Sequence, residues 1–88
     1  MSDARAALLE AAIAVLRESG FAGASARRIA QRAGCNQALV FYHFGSVNDL
    51  LVAALEEVSA RRLAAYREVR DQLTERIKSR FGWAAGSN

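Results

Sequence analysis

The sequence predicts an all-α chain in which three short helices precede one long fourth helix. Three observations carry that prediction. Proline is absent from the 88 residues and alanine recurs throughout, which favours helix. Apolar residues return at helical spacing in successive stretches. Gly20, Gly23, Gly34 and Gly45 fall between those stretches, where helices stop. A chain of this length has one modest core and buries about 60–65% of its unfolded surface.

The first helix is expected over residues 3–19, capped by Asp3. Its inward stripe is Leu9, Ala12, Ile13 and Leu16, widened by Leu8 and Val15. Gly20 ends it, and Phe21 is placed to fold back onto the last turn. Ser25 caps the second helix, residues 26–33. Asn36 caps the third, residues 37–44, which is too short to stand without packing. Val40 and Phe44 are its inward residues, and Gly45 stops it. Ser46 and Asp49 resemble a capping box that opens the fourth helix.

From Ser46 to Phe81 no glycine interrupts the chain. A straight helix of that span would be about 50 Å long at ~1.5 Å per residue. Leu50, Leu51, Ala54, Leu55 and Val58 are expected to close the small core. Beyond Arg61 and Arg62 a second stripe continues through Leu63, Tyr66, Val69 or Arg70, Leu73, Ile77 and Phe81. The three-helix unit is too small to cover it. It must meet a partner, fold back as a further helix, or stay exposed. A second copy is the favoured partner, with Leu63, Tyr66, Leu73, Ile77 and Phe81 as dimerisation residues. The expected division is a first domain over 1–58 including the start of helix four, a helical extension over 59–82, and a tail over 83–88.

The spacing between Ser25 and Phe44 is that of a helix-turn-helix. Ala30 is small where two helices must approach, Gly34 supplies a turn with positive φ, and Val40 plugs the next helix into the previous one. Ile29, Ala33 and Cys35 fill the other inward positions. Such an element can lay its second helix in the major groove of DNA. Net charge is only +3, but no acidic residue lies between Glu18 and Asp49, a window that holds Arg27, Arg28 and Arg32. That is the electrostatic footprint expected for phosphate binding.

With its flanks, this stretch resembles the DNA-binding domain of the TetR family of bacterial transcriptional repressors. The resembling pieces run in order over residues 4–66. They are Leu8-Leu9-Glu10-Ala11-Ala12 through Gly20-Phe21, then Ser25-x-x-x-Ile29-Ala30-x-x-Ala33-Gly34, then Phe41-Tyr42-His43-Phe44, then Ser46-x-x-Asp49-Leu50-Leu51. The chain departs from the family at Val47, where Lys is frequent, and at Phe41, where Tyr is usual. Family members also carry a larger C-terminal helical domain for effector binding and dimerisation. The chain stops at Asn88, so no small-molecule effector is expected at this length. The resemblance implies repression and a palindromic operator.

On the third helix the outward positions are Gln37, Ala38, Phe41 and Tyr42. Gln37 is the best base reader, because its amide can pair with adenine N6 and N7; Ala38 can touch only a thymine methyl. Phe41 joins them as a base-contact candidate, with core packing as its alternative. Phosphate contacts are expected from Ser25, Arg27, Arg28, Tyr42, His43 and Ser46. Solvated charges and a structural histidine are the ordinary alternatives. Arg32 is weaker because it can point away. Cys35, where the family commonly has Val, reads as a structural residue.

No enzyme signature is present. One His and one Cys without nearby clustered carboxylates assemble neither a metal site nor a catalytic triad, so neither metal nor cofactor is expected. Glu56 and Glu57 read as a salt-bridged surface pair. A single cysteine forms no internal disulfide and fits a reducing cytoplasm, where the chain would sit with the nucleoid. Asp3 and Glu10 argue against a signal peptide, and no apolar run reaches the ~18–20 residues of a membrane span. Acids nearly as numerous as bases along helix four argue against a membrane surface. The rival class is a protein-interaction module that pairs through helix four with itself or a full-length homologue.

Overall fold

A computed structural model describes residues 3–82, excluding the side chain of Phe81. The expected tail over 83–88 and the dimerisation role of the Phe81 side chain lie outside the described residues. The elements are α1 (Ala4–Ser19), a 3₁₀ turn (Phe21–Gly23), α2 (Ala26–Ala33), α3 (Ala38–Phe44) and α4 (Val47–Phe81). No strand occurs among the described residues. The chain divides into two compact units, residues 1–58 and residues 59–88.

The helix ends follow from local chemistry. Asp3 caps α1 by accepting from the N–H groups of Arg5 (3.1 Å) and Ala6 (3.3 Å). Ser25 Oγ accepts from the Arg28 N–H at 3.1 Å and opens α2. Gly34 closes α2 in the left-handed conformation, φ 74°. There the Cys35 N–H reaches the Ala30 carbonyl and the Gly34 N–H reaches that of Gln31, the paired bonds of a Schellman motif. Asn36 Oδ1 accepts from the Ala38 N–H at 2.8 Å and starts α3.

The first unit packs around one apolar core. Leu8, Ala12 and Val15 of α1 meet Ile29 and Ala30 of α2, Val40 of α3, and Leu50, Leu51 and Ala54 of α4. Ala12, Ala30 and Ala54 are small residues at buried positions, which lets the helices approach closely. Each element contributes too little apolar area alone, so the helix-turn-helix and the start of α4 stand together.

Three expectations are corrected. The buried face of α1 is Leu8, Ala11, Ala12, Ile13 and Val15, while the expected Leu9 and Leu16 are only partly buried at its margin. Ala11 is buried because its small size admits the neighbouring helix, although its weak hydrophobicity leaves no mark in the apolar pattern. Phe21 does not fold back onto α1; it is 72% exposed. The 3₁₀ turn, closed by the Ala24 N–H on the Phe21 carbonyl, buries Ala24 instead. Leu55 does not close the core and is 58% exposed. Leu51, Ala54 and Val58 share the inward face at helical spacing, and Leu55 lies one residue past it.

Gly23 permits a close approach. A Cβ there would lie 2.6 Å from Ser19 Cβ. Gly23→Ala is therefore expected to destabilise the first unit by about 1–3 kcal/mol. A chemical-denaturation midpoint equal to that of the parent chain would contradict the expectation.

In the second unit every residue from 59 to 77 is exposed. Local polar contacts decorate the helix. Arg70 pairs with Asp71 at 3.0 Å, Lys78 with Glu75 at 3.8 Å, and Thr74 Oγ1 donates to the Arg70 carbonyl at 2.8 Å. Such exposed pairs add little stability.

Candidate nucleic-acid interface

The outer face of α3 follows from the inner one. Val40 is fully buried, and Leu39 and Phe44 pack at the core margin. Helical periodicity then turns Ala38, Phe41 and Tyr42 outward, with Gln37 just before them. All four are exposed, Phe41 by 48% and Tyr42 by 80%. Two large aromatic side chains left in water beside an amide form an unusual surface for a seven-residue helix. His43 is half-buried, and its ring meets that of Tyr42 edge-on with centroids 4.9 Å apart.

Ser25, Arg27 and Arg28 occupy the start of α2, and all three are exposed. Ser25 Oγ spends a lone pair on the Arg28 N–H, which leaves its hydroxyl proton to donate. The two arginines differ. Arg28 carries its guanidinium beside Gly23, and its charge acts on Glu18. Arg27 makes no ion pair among the described residues.

Arg32 does not add to a free basic face. It pairs with Glu18 of α1 at 2.6 Å, with Nη1 donating to both carboxylate oxygens. The sequence window between Glu18 and Asp49 looked free of acids because it began just after the residue that neutralises Arg32. The hydrogen bond to Arg32 holds the Glu18 carboxyl below its ordinary value, helped by the charges of Arg32 and Arg28 and opposed by desolvation. The same bond keeps Arg32 more firmly protonated.

A carboxylate with a lowered folded value stabilises the fold above its unfolded value, near 4.5, and loses that contribution as pH falls through the folded value. Glu18→Gln should therefore melt below the parent at neutral pH, and the two melting curves should converge in acid. Melting differences that stay constant through that range would contradict this linkage.

Ser46 and Asp49 form the expected cap-like pair at the start of α4. The Ser46 hydroxyl donates to Asp49 Oδ2 at 2.9 Å and accepts from the Asp49 N–H at 3.0 Å. Its only proton is spent within α4, and the Asp49 carboxylate beside it repels an anion. Val47 packs against the core, which gives a physical reason for an apolar residue where a lysine is frequent.

The structure also brings in a residue that the sequence reading missed. Arg5 of α1 sits over the Phe44 ring, 4.9 Å from its centroid, and so stands at the C-terminal end of α3. Nothing local marks Arg5; only the packing of α1 on α3 unites residues so far apart in sequence. Among the described residues no group of three or more His, Cys, Asp or Glu side chains is arranged to hold a metal. No single helix among them is long and apolar enough to cross a membrane.

Residues 8–54 match the family model described as bacterial regulatory proteins, tetR family. Among similar curated proteins is the HTH-type transcriptional regulator BetI of Paraburkholderia phytofirmans, 32% identical over 85 residues. That match covers 88% of this chain and 44% of BetI. An HTH-type transcriptional repressor of Mycobacterium tuberculosis is 37% identical, covering 91% of this chain and 43% of its own length. The HTH-type transcriptional repressor AcnR of Corynebacterium glutamicum is 33% identical over 68% of this chain and 32% of its own. The chain thus spans less than half the length of these relatives. No solved structure matches it.

Proposed function

The chain belongs to the tetR family of bacterial regulatory proteins, and on that premise we propose that α2 and α3 bind duplex DNA sequence-specifically and repress transcription by occupying an operator. The observation that carries this reading is the exposed row Gln37, Ala38, Phe41 and Tyr42 on α3, beside the free hydroxyl and cation of Ser25 and Arg27. With α3 in the major groove, Gln37 pairs with a base edge and Ala38 and Phe41 contact neighbouring methyl groups or sugars. Ser25, Arg27 and Arg28 grip one phosphate strand. Tyr42, His43 and Arg5 grip another at the far end of the helix. Ser46 takes part only if its hydroxyl leaves Asp49. A bound operator obstructs polymerase sterically. On a palindromic site two copies would place their α3 helices about one helical turn, ~34 Å, apart.

The testing experiment is selection from a pool of random-sequence duplexes by the purified chain, with the light-scattering mass of the complex measured on the recovered site. The proposal expects a recurrent motif, with two copies on a palindrome. Recovery of sequences no different from the starting pool would refute sequence-specific binding. A second reading, a protein-interaction module, is favoured by the exposed apolar side chains Leu63, Tyr66, Leu73 and Ile77 of the second unit.

A further inference from the structure

Glu18 stands where an acid is poorly placed on two counts. It lies in the last turn of α1, where the helix dipole disfavours negative charge. It also neighbours α2, the helix whose cations face the phosphates in the reading above. Both of its carboxylate oxygens accept from Arg32 Nη1 at 2.6 Å, so the bond ties α1 to α2. The two side chains are 47% and 46% exposed, and an ion pair so open to water adds little stability. Its larger consequence is where it holds the Arg32 charge.

Arg28 and Arg32 are four residues apart and share one face of α2. Along the axis they are separated by about 6 Å, at ~1.5 Å per residue. Arg28 follows the Ser25 cap directly, since Ser25 Oγ accepts from its N–H. A free Arg32 would extend the row that Ser25 and Arg28 begin. Tied to Glu18, it presents no net charge to a phosphate, and the guanidinium is drawn toward the end of α1.

We propose that Glu18 is a positioning residue for DNA binding, one that withholds Arg32 from the backbone and confines α2 to the phosphate contacts of its first turn. This rests on the reading of α2 as the helix that grips the DNA backbone. The acid thereby keeps a larger share of the binding free energy in the base contacts of α3, because a phosphate contact carries no sequence information.

The test is fluorescence anisotropy of the whole 88-residue chain on the selected duplex and on a scrambled one, over a range of salt concentrations. Glu18→Gln should tighten binding to both at least about threefold at low salt and steepen the slope of log affinity against log salt by about 1, as one added phosphate contact requires. Misfolding does not produce such a gain. Glu18→Gln combined with Arg32→Gln should return affinity and slope to those of the parent, because the released cation is gone. Glu68→Gln makes the same change of net charge in the second unit and should leave the slope unchanged. Three outcomes would overturn the proposal. They are an unchanged slope in Glu18→Gln, weaker binding by that variant, or a double variant that keeps the steeper slope. Failure of the underlying reading looks different, since the parent chain itself would then bind neither duplex at low salt, and the role of Glu18 would fall with it.

Discussion

Gln37→Ala is expected to cost the chain about 1–3 kcal/mol of preference for its selected DNA site over a scrambled duplex. The residue is exposed just before α3, with no hydrogen bond of its side chain into the fold at the cap. Its loss therefore leaves the core untouched, and the thermal midpoint should hold. Arg27→Ala should behave differently. A phosphate contact carries no sequence information, so binding should weaken by a similar factor on both duplexes, and the slope of log affinity against log salt should fall by about 1. Fluorescence anisotropy on both duplexes at several salt concentrations separates the two signatures. Uniform weakening by Gln37→Ala, or an unchanged salt slope in Arg27→Ala, would remove the role assigned to that residue.

Ile29→Ala is expected to destabilise the first unit by about 2–5 kcal/mol. Ile29 is fully buried and lies among residues from α1, α3 and α4, so the space it leaves has little freedom to collapse. Small domains have only about 5–15 kcal/mol in total, so most of the stability is at stake. DNA binding should fall with it, since α3 is too short to hold its shape without that core. Leu73→Ala, of comparable apolar loss but half-exposed in the second unit, should scarcely move the same unfolding transition. Equal effects of the two substitutions on urea denaturation would contradict the placement of the core.

The helix boundaries were legible because their chemistry is local. Asp3, Ser25, Gly34 and Asn36 cap within a few residues of where they stand, so sequence order is enough to recognise them. The outer row of α3 was legible for a related reason, since burying Val40 fixes where Ala38, Phe41 and Tyr42 point. Long-range pairing was not legible. The Glu18–Arg32 bridge joins α1 to α2, and the Arg5–Phe44 contact joins α1 to α3; neither has a marker in its own neighbourhood. The first pairs Arg32, the weakest of the three arginines counted in the acid-free window, with an acid just outside it, and the second adds a cation that the window did not include. Alanine misled in another way. Its weak hydrophobicity hid Ala11 from the stripe of α1, although small residues are what let the two helices meet closely. In the second unit the apolar spacing was plain, since Leu63, Tyr66, Leu73 and Ile77 recur at helical steps.

The most direct test of the account is a map of backbone amide chemical shifts for the 88-residue chain as the selected duplex is added. Binding through the helix-turn-helix predicts large perturbations at Ser25–Arg28 and Gln37–Phe44, with Arg5 following, and small ones from Leu63 to Ile77. Perturbations concentrated on Leu63 to Ile77, or none at Gln37–Phe44 at saturating DNA, would contradict it.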